Sequence, residues 1–144
     1  MVLEVDPETM QVNIQKYVVV HDAGRVINPM IVDGQVHGGV AQGIGNAFYE
    51  QVVYDENGQL LSGSFMDYLL PTSLDVLPIY VGHQETLSPL NPLGIKGAGE
   101  AGAIPIGPLF VQALEDALQI EGLELLEIPL SPNRLWEMVQ EAIM

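Results

Sequence analysis

Cysteine is absent from the 144 residues. That excludes a disulfide frame, a thiolate nucleophile, and the cysteine ligand sets of iron–sulfur clusters and of the common structural zinc sites. Any redox metal used by this chain must therefore be held by something other than its own thiolates. Basic residues are scarce as well: 4 Lys and Arg stand against 19 Asp and Glu, a formal net charge of -15. Nucleic acid and anionic membranes both require a basic footprint, so neither is expected as a partner. No apolar run approaches the roughly 20 residues of a membrane span. The segment Met1-Val2-Leu3-Glu4-Val5-Asp6 has neither a basic stretch nor an apolar one of signal-peptide length, and a cytoplasmic location is the expectation. Charged residues make up only 16% of the chain and hydrophobic ones 48%, against roughly 25% charged in an ordinary soluble domain. This excess leaves apolar surface for a partner. The length fits one domain, residues 1–144, with a core of its own.

One carboxylate stands out in Asn91-Pro92-Leu93-Gly94-Ile95-Lys96-Gly97-Ala98-Gly99-Glu100-Ala101-Gly102. Glycines at 97, 99 and 102 remove side-chain bulk around Glu100 and let the backbone pass close to a ligand. The small, apolar neighbours predict a sparsely solvated carboxylate, and the apolar run after Gly102 predicts that the loop feeds a helix. Desolvation would raise the acidity constant of such a group, while a helix N-terminus would lower it; either suits proton transfer. Gly97 to Gly102 also matches G-x-G-x-x-G, but the dinucleotide fingerprint needs a buried strand directly before it and an uninterrupted helix after it. Pro92 and Gly94 occupy the first place, and Pro105 and Pro108 the second. Two readings of Glu100 stay open, a proton-transfer group and a turn residue that caps the next helix.

Elsewhere the pattern predicts a hairpin of residues 2–5 and 11–20, turning through Asp6-Pro7-Glu8-Thr9. Its second strand ends in Tyr17-Val18-Val19-Val20, a run expected to be central and covered on both sides. Asn28-Pro29 opens a helix to about Glu50, with the apolar stripe Val32, Val36, Val40, Ile44, Ala47 and Phe48. Five glycines (34, 38, 39, 43 and 45) interrupt it, each costing up to about 1 kcal/mol relative to alanine. Something must lie close against this helix, either another helix or a ligand read by Gln35, His37 and Gln42. Strands are expected at 51–54 and 59–62 around an Asn57-Gly58 turn, and again from Pro78 to His83. A helix follows through Phe110, Leu114, Ala117 and Leu118. The last helix has Ser131 as N-cap, Pro132 at its first position, and Leu135, Met138, Val139 and Ala142 on its apolar face. The order β-β-α-β-β-β-α-α does not alternate regularly, which favours an α+β fold.

Four ordered segments carry a resemblance: His21 to Pro29, Gly34 to Gly45, Met66-Asp67-Tyr68, and Asn91 to Gly102. Together they make the chain resemble the C-terminal part of the large subunit of molybdenum hydroxylases, the xanthine dehydrogenase and aldehyde oxidoreductase family, and most of all the aerobic carbon monoxide dehydrogenase type. The resemblance implies a molybdopterin cofactor with molybdenum, in a dinucleotide form, and a small-molecule substrate. It implies that Glu100 is the active-site base, that Gln42 and Gly43 approach the pterin, and that Lys96 and Gly97 lie beside the cofactor. The family's upstream pterin-binding loops, iron–sulfur modules and flavin modules have no counterpart in this sequence. The expected partners are therefore the remaining portion of the large subunit together with iron–sulfur and flavin subunits, and the chain alone is expected to retain no cofactor and to be inactive. The alternative is a non-catalytic assembly module of the same fold.

Overall fold

The computed structural model describes residues 1–144. Strand β1 (Val2–Val5) pairs antiparallel with β2 (Val12–His21). Helix α1 (Pro29–Phe48) and a long irregular connection then lead to β3 (Ile79–His83), which lies parallel to β2 with Tyr17 beside Ile79 and His21 beside His83. Helices α2 (Ile106–Leu118) and α3 (Pro132–Ile143) complete the chain. The sheet order is β1-β2-β3, so β2 is central as its composition predicts, and the fold is α+β.

The strand pairing slips between Val2 and Leu3, which face Lys16 and Ile14 respectively, so Gln15 is an extra residue in β2. A bulge of this kind reverses which alternate residues face the core. Val12 and Ile14 pack inward before it; Tyr17 and Val19 do so after it. The outward row is then Lys16, Val18 and Val20. The expectation that this run is covered on both sides is thus corrected: Val18 is 47% and Val20 68% exposed, beside an exposed Tyr80 whose ring Lys16 overlies. In this chain the helices cover only one face of the sheet.

The core sits on the other face, where Tyr17, Ile44, Ile106, Phe110, Leu114 and Leu135 are fully buried. Phe110 meets Phe48 edge to face with ring centroids 4.7 Å apart, a preferred aromatic geometry. Helix α1 begins where Asn28-Pro29 predicts, the Asn28 side chain accepting from the Ile31 amide. Its stripe is seated as read, with Val36, Val40, Ile44 and Ala47 buried. Helix α2 tolerates Pro108 because it falls in the first turn, where its missing N–H breaks no intrahelical bond; Ala117, expected on the apolar face, is exposed. Ser131 and Pro132 stand at the start of α3, although the Ser131 side chain makes no cap hydrogen bond.

The strands expected at 51–54 and 59–62 reduce to one bridge, Tyr54 to Leu60, around the Asp55–Gly58 turn. Val52, Val53, Tyr54, Leu60 and Leu61 are all exposed, so little burial supports the arm and its pairing does not propagate. The turns that follow expose Phe65 (83%) and Met66 (89%). Two tyrosines tie the ends of the connection back, Tyr68 donating to Glu50 and Tyr49 to Asp75.

Burial pushes the Tyr17 phenol up to about 12. A phenol whose pKa is higher folded than unfolded stabilises the fold fully below its unfolded value, about 10, and that contribution is lost as pH rises toward the folded one. Between pH 10 and 12 the chain is expected to unfold by circular dichroism in step with the late part of tyrosine ionisation read at 295 nm, to which Tyr17 contributes together with Tyr49, itself pushed up to about 12 by burial and its bond to Asp75. Tyr17→Phe should blunt this step, and ionisation of Tyr17 near pH 10 in an intact fold would contradict the reading.

Candidate functional site

The five glycines of α1 divide into two sets. Gly39, Gly43 and Gly45 are used by the chain itself. A methyl group on Gly39 would lie 3.0 Å from the Gly102 Cα, one on Gly43 2.7 Å from the Ile106 Cβ, and one on Gly45 3.0 Å from the Pro71 Cδ. Helix–loop and helix–helix packing therefore accounts for these three, and Gly43, singled out as a cofactor contact, is buried under Ile106. Gly34 and Gly38 differ, since both are exposed with nothing within 4 Å of where a side chain would go. At 100° per residue they point away from the core. Gln35 and Gln42, both exposed, fall on the flank between that bare face and the glycines that receive the loop. Gln42 is one turn beyond Gly38, about 6 Å along the axis.

The Glu100 loop crosses α1 at this flank. Gly102 is buried so tightly that a methyl group there would sit 2.9 Å from the Val40 amide nitrogen and 3.1 Å from the Gly39 Cα. One on Gly99 would lie 3.7 Å from Gln35 Oε1. Backbone amides of Ala103 and Ile104 donate to the Glu100 carbonyl, at 2.8 and 3.3 Å, and close the turn that delivers the chain to α2. The helix-capping reading of Glu100 does not hold, because the α2 N-cap is Pro105 with no side-chain cap bond. The expected scarcity of solvent is also corrected. Glu100 is exposed, since small neighbours that cannot hydrate a carboxylate cannot cover it either.

Lys96 and Gly97 lie at the loop's other end. Gly97 is open, with nothing within 4 Å of a would-be side chain. The Lys96 ammonium is engaged by Asp22 at 2.8 Å and by the Thr86 hydroxyl. Asp22 also accepts from the Gly24 amide at 2.8 Å, the Thr86 amide at 3.2 Å and the Thr86 hydroxyl. Lys96, then the Thr86 side chain and the Gly24 and Thr86 amides, hold its carboxyl well below the usual carboxylate range. Backbone bonds join the same pieces: Arg25 N to Gly94 O at 3.0 Å and Lys96 N to Ala23 O at 2.9 Å. Gly24 takes φ +62°, and a side chain there would collide with the Gly94 carbonyl. Sequence reading missed the roles of Asp22 and Thr86; the available signal was Asp22-Ala23-Gly24, a carboxylate two residues before a glycine at a strand end, the pattern of an Asx turn.

The histidines divide differently. His37 lies with Nδ1 2.7 Å from the Asp33 carbonyl and Nε2 3.2 Å from the Ile79 carbonyl, each tautomer donating to one of them, and His83 pairs with the Asp33 carboxylate at 2.6 Å. They fasten α1 to β3, and no group of three or more His, Asp or Glu side chains is placed to hold a metal ion.

Residues 1–77 match the family model of the molybdopterin cofactor-binding domain. The chain is 43% identical over 136 residues to the nicotine 6-hydroxylase large subunit of Paenarthrobacter nicotinovorans, covering 94% of this chain and 16% of that protein. It is 34% identical to the carbon monoxide dehydrogenase large chain of Hydrogenophaga pseudoflava, covering 97% and 17%. Among solved structures, quinoline 2-oxidoreductase from Pseudomonas putida 86 superposes with a TM-score of 0.90 at 44% identity, covering 96% of this chain and 18% of that one. The chain thus spans about a sixth of the length of these curated relatives, 16% and 17% of each. With an open glycine face on α1, a glutamate loop at its edge and these likenesses over nearly the whole sequence, the chain belongs to the molybdopterin-binding large subunits of the molybdenum hydroxylase family, close to carbon monoxide dehydrogenase.

Proposed function

We propose that this chain is a component of a molybdopterin-dependent hydroxylase, supplying the base Glu100 and one wall of the cofactor site. The observation that carries this reading is the bare, polar-flanked face of α1, where Gly34 and Gly38 have nothing within 4 Å and the Glu100 loop passes at its edge. Glycines inside a soluble helix cost stability. Three of the five repay that cost by packing within the chain; these two do so only if something large and flat approaches from outside. A pterin fits, with the Gln42 and Gln35 amides as hydrogen-bonding groups for its ring edges. Gly43 contributes backbone beside Gln42, and Gly97 leaves open backbone at the start of the loop, next to Lys96.

When bound, the cofactor, in its dinucleotide form, supplies a redox-active metal that accepts an electron pair from the substrate. The chain's part is acid–base and steric. A carboxylate oxygen of Glu100 would take the proton from a water-derived hydroxyl as the hydroxyl oxygen bonds to an electron-poor substrate carbon, the displaced electron pair passing to the acceptor, and Gly97 and Gly99 keep bulk away from the carboxylate. Glu100 is exposed in this chain, so the dry surroundings that tune such a base come from the remaining portion of the large subunit. The exposed arm around Phe65 and Met66 and the open row Val18, Val20 and Tyr80 supply apolar surface for that portion to cover. Iron–sulfur and flavin subunits that carry electrons away complete the proposed cytoplasmic assembly.

Replacing Gly38 by leucine tests the wall. Folding should be unaffected, because the face is open, while pterin and molybdenum recovered with the assembled large subunit should fall at least about tenfold, a loss of roughly 1.4 kcal/mol or more in binding. Full cofactor content in that variant would remove the wall from the model of the site. The isolated chain, lacking the other wall, is expected to recover neither and to show no turnover.

A further inference from the structure

We propose that Asp22 is a positioning residue for Glu100, acting through Lys96 and Thr86 as a clamp that fixes the near end of the Glu100 loop; this rests on the reading of Glu100 as the base. The loop from Gly97 to Ala101 carries no hydrogen-bonded strand or helix of its own. Where Glu100 stands is therefore decided by its two ends. The far end is pressed onto α1, with Gly102 against Gly39. The near end is fastened by the turn after β2: Ala23, Gly24 and Arg25 bond residues 94–96 in both directions, and the Asx turn at Asp22 shapes those three residues. The Asn91 side chain adds a reciprocal pair to the Ile95 backbone, at 2.9 and 3.1 Å, so the near end arrives as a closed unit.

Asp22 is the hub of this arrangement. Its two oxygens receive the Gly24 and Thr86 amides, the Thr86 hydroxyl and the Lys96 ammonium, and so join three segments that are 64 and 74 residues apart in sequence. The ion pair is partly exposed, with side chains 35% and 27% accessible, and an isolated pair of that kind contributes little to global stability. Its geometric consequence is larger, because four residues after Lys96 the chain reaches Glu100, and a base displaced by about 1 Å loses on the order of 100-fold in rate. The arrangement also gives Lys96 a different task from direct cofactor contact, since its ammonium is spent on Asp22 and Thr86.

The test uses the assembled large subunit and the variants Asp22→Asn, Lys96→Met, the double variant and Lys96→Arg. Amide hydrogen exchange in peptides spanning 94–104 should accelerate about tenfold or more in both single variants, with β1–β2 and α3 unchanged. The double variant should be no looser than either single one, because the two residues form one device. Lys96→Arg, which still reaches Asp22, should restore protection. Turnover of quinoline, nicotine and carbon monoxide as probe substrates should show kcat reduced about 10- to 100-fold at unchanged KM. Unaltered exchange at 94–104, acceleration spread evenly over the chain, additive losses in the double variant, or wild-type kcat in Asp22→Asn would each overturn the proposal. Glu100→Gln separates the two layers: it leaves exchange untouched, and wild-type kcat in that variant would sink the base reading whatever the clamp variants show.

Discussion

Substituting Glu100 by glutamine is expected to lower kcat of the assembled enzyme by roughly 10²–10⁴-fold, the usual contribution of a positioned base. Glutamine keeps the volume and the hydrogen-bonding reach of the side chain and removes only its capacity to take a proton. The backbone that holds the loop would not sense the change, because the Glu100 bonds to Ala103 and Ile104 are made by its carbonyl. Folding, assembly and metal content should thus match the parent, and the deficit should fall on kcat with KM nearly constant. Steady-state kinetics alongside metal analysis checks both halves. A variant with parental turnover would favour a module that keeps this fold for assembly alone.

Gly102→Ala should produce a large loss of stability for a single methyl group. The added carbon would be driven into the α1 backbone, close to the Val36 carbonyl and 2.9 Å from the Val40 nitrogen. A flexible side chain could swing aside; a helix backbone cannot. Overpacking of this kind costs about 3 kcal/mol, the upper end of its usual range, which for a chain of this size lowers Tm by roughly 10 °C. Gly107→Ala is the control. Gly107 lies in the first turn of α2 with nothing within 4 Å, so alanine there should be neutral or should stabilise by up to about 1 kcal/mol. Thermal melts of the two variants decide the matter, and equal Tm values would mean that the loop and α1 are not in the contact described.

Much of this arrangement could be read locally. The Asn28-Pro29 start of α1, its buried stripe and the β1–β2 hairpin depend on neighbours in sequence, and each formed where the pattern placed it. That the α1 glycines needed close company was also legible. Which glycines met the chain and which met nothing was not, because Gly39 and Gly43 are partnered by residues more than 60 positions away. The Asp22, Thr86 and Lys96 cluster is invisible to periodicity for the same reason. The second hairpin failed in the opposite sense. Its turn residues act as predicted, with Asp55 accepting from the Asn57 and Gln59 amides, but a turn specifies where a chain reverses and not whether a surface waits to stabilise the arms. Glu100 stays exposed because small neighbours that leave room around a carboxylate leave room for water as well.

The extra residue at Gln15 has a last consequence. Because two consecutive side chains, Gln15 and Lys16, face outward there, the strand is counted from two separate origins, one at Val12 and one at Tyr17. Substitutions at position 15 leave both counts intact, and losing that residue would let plain alternation run from Ile14 through Lys16 to Tyr17, with Ile14 and Tyr17 still inward and Lys16 still beside Val2. What the extra residue adds is a local bend and a stronger twist in β2, and a strand without it would run straighter past Val2.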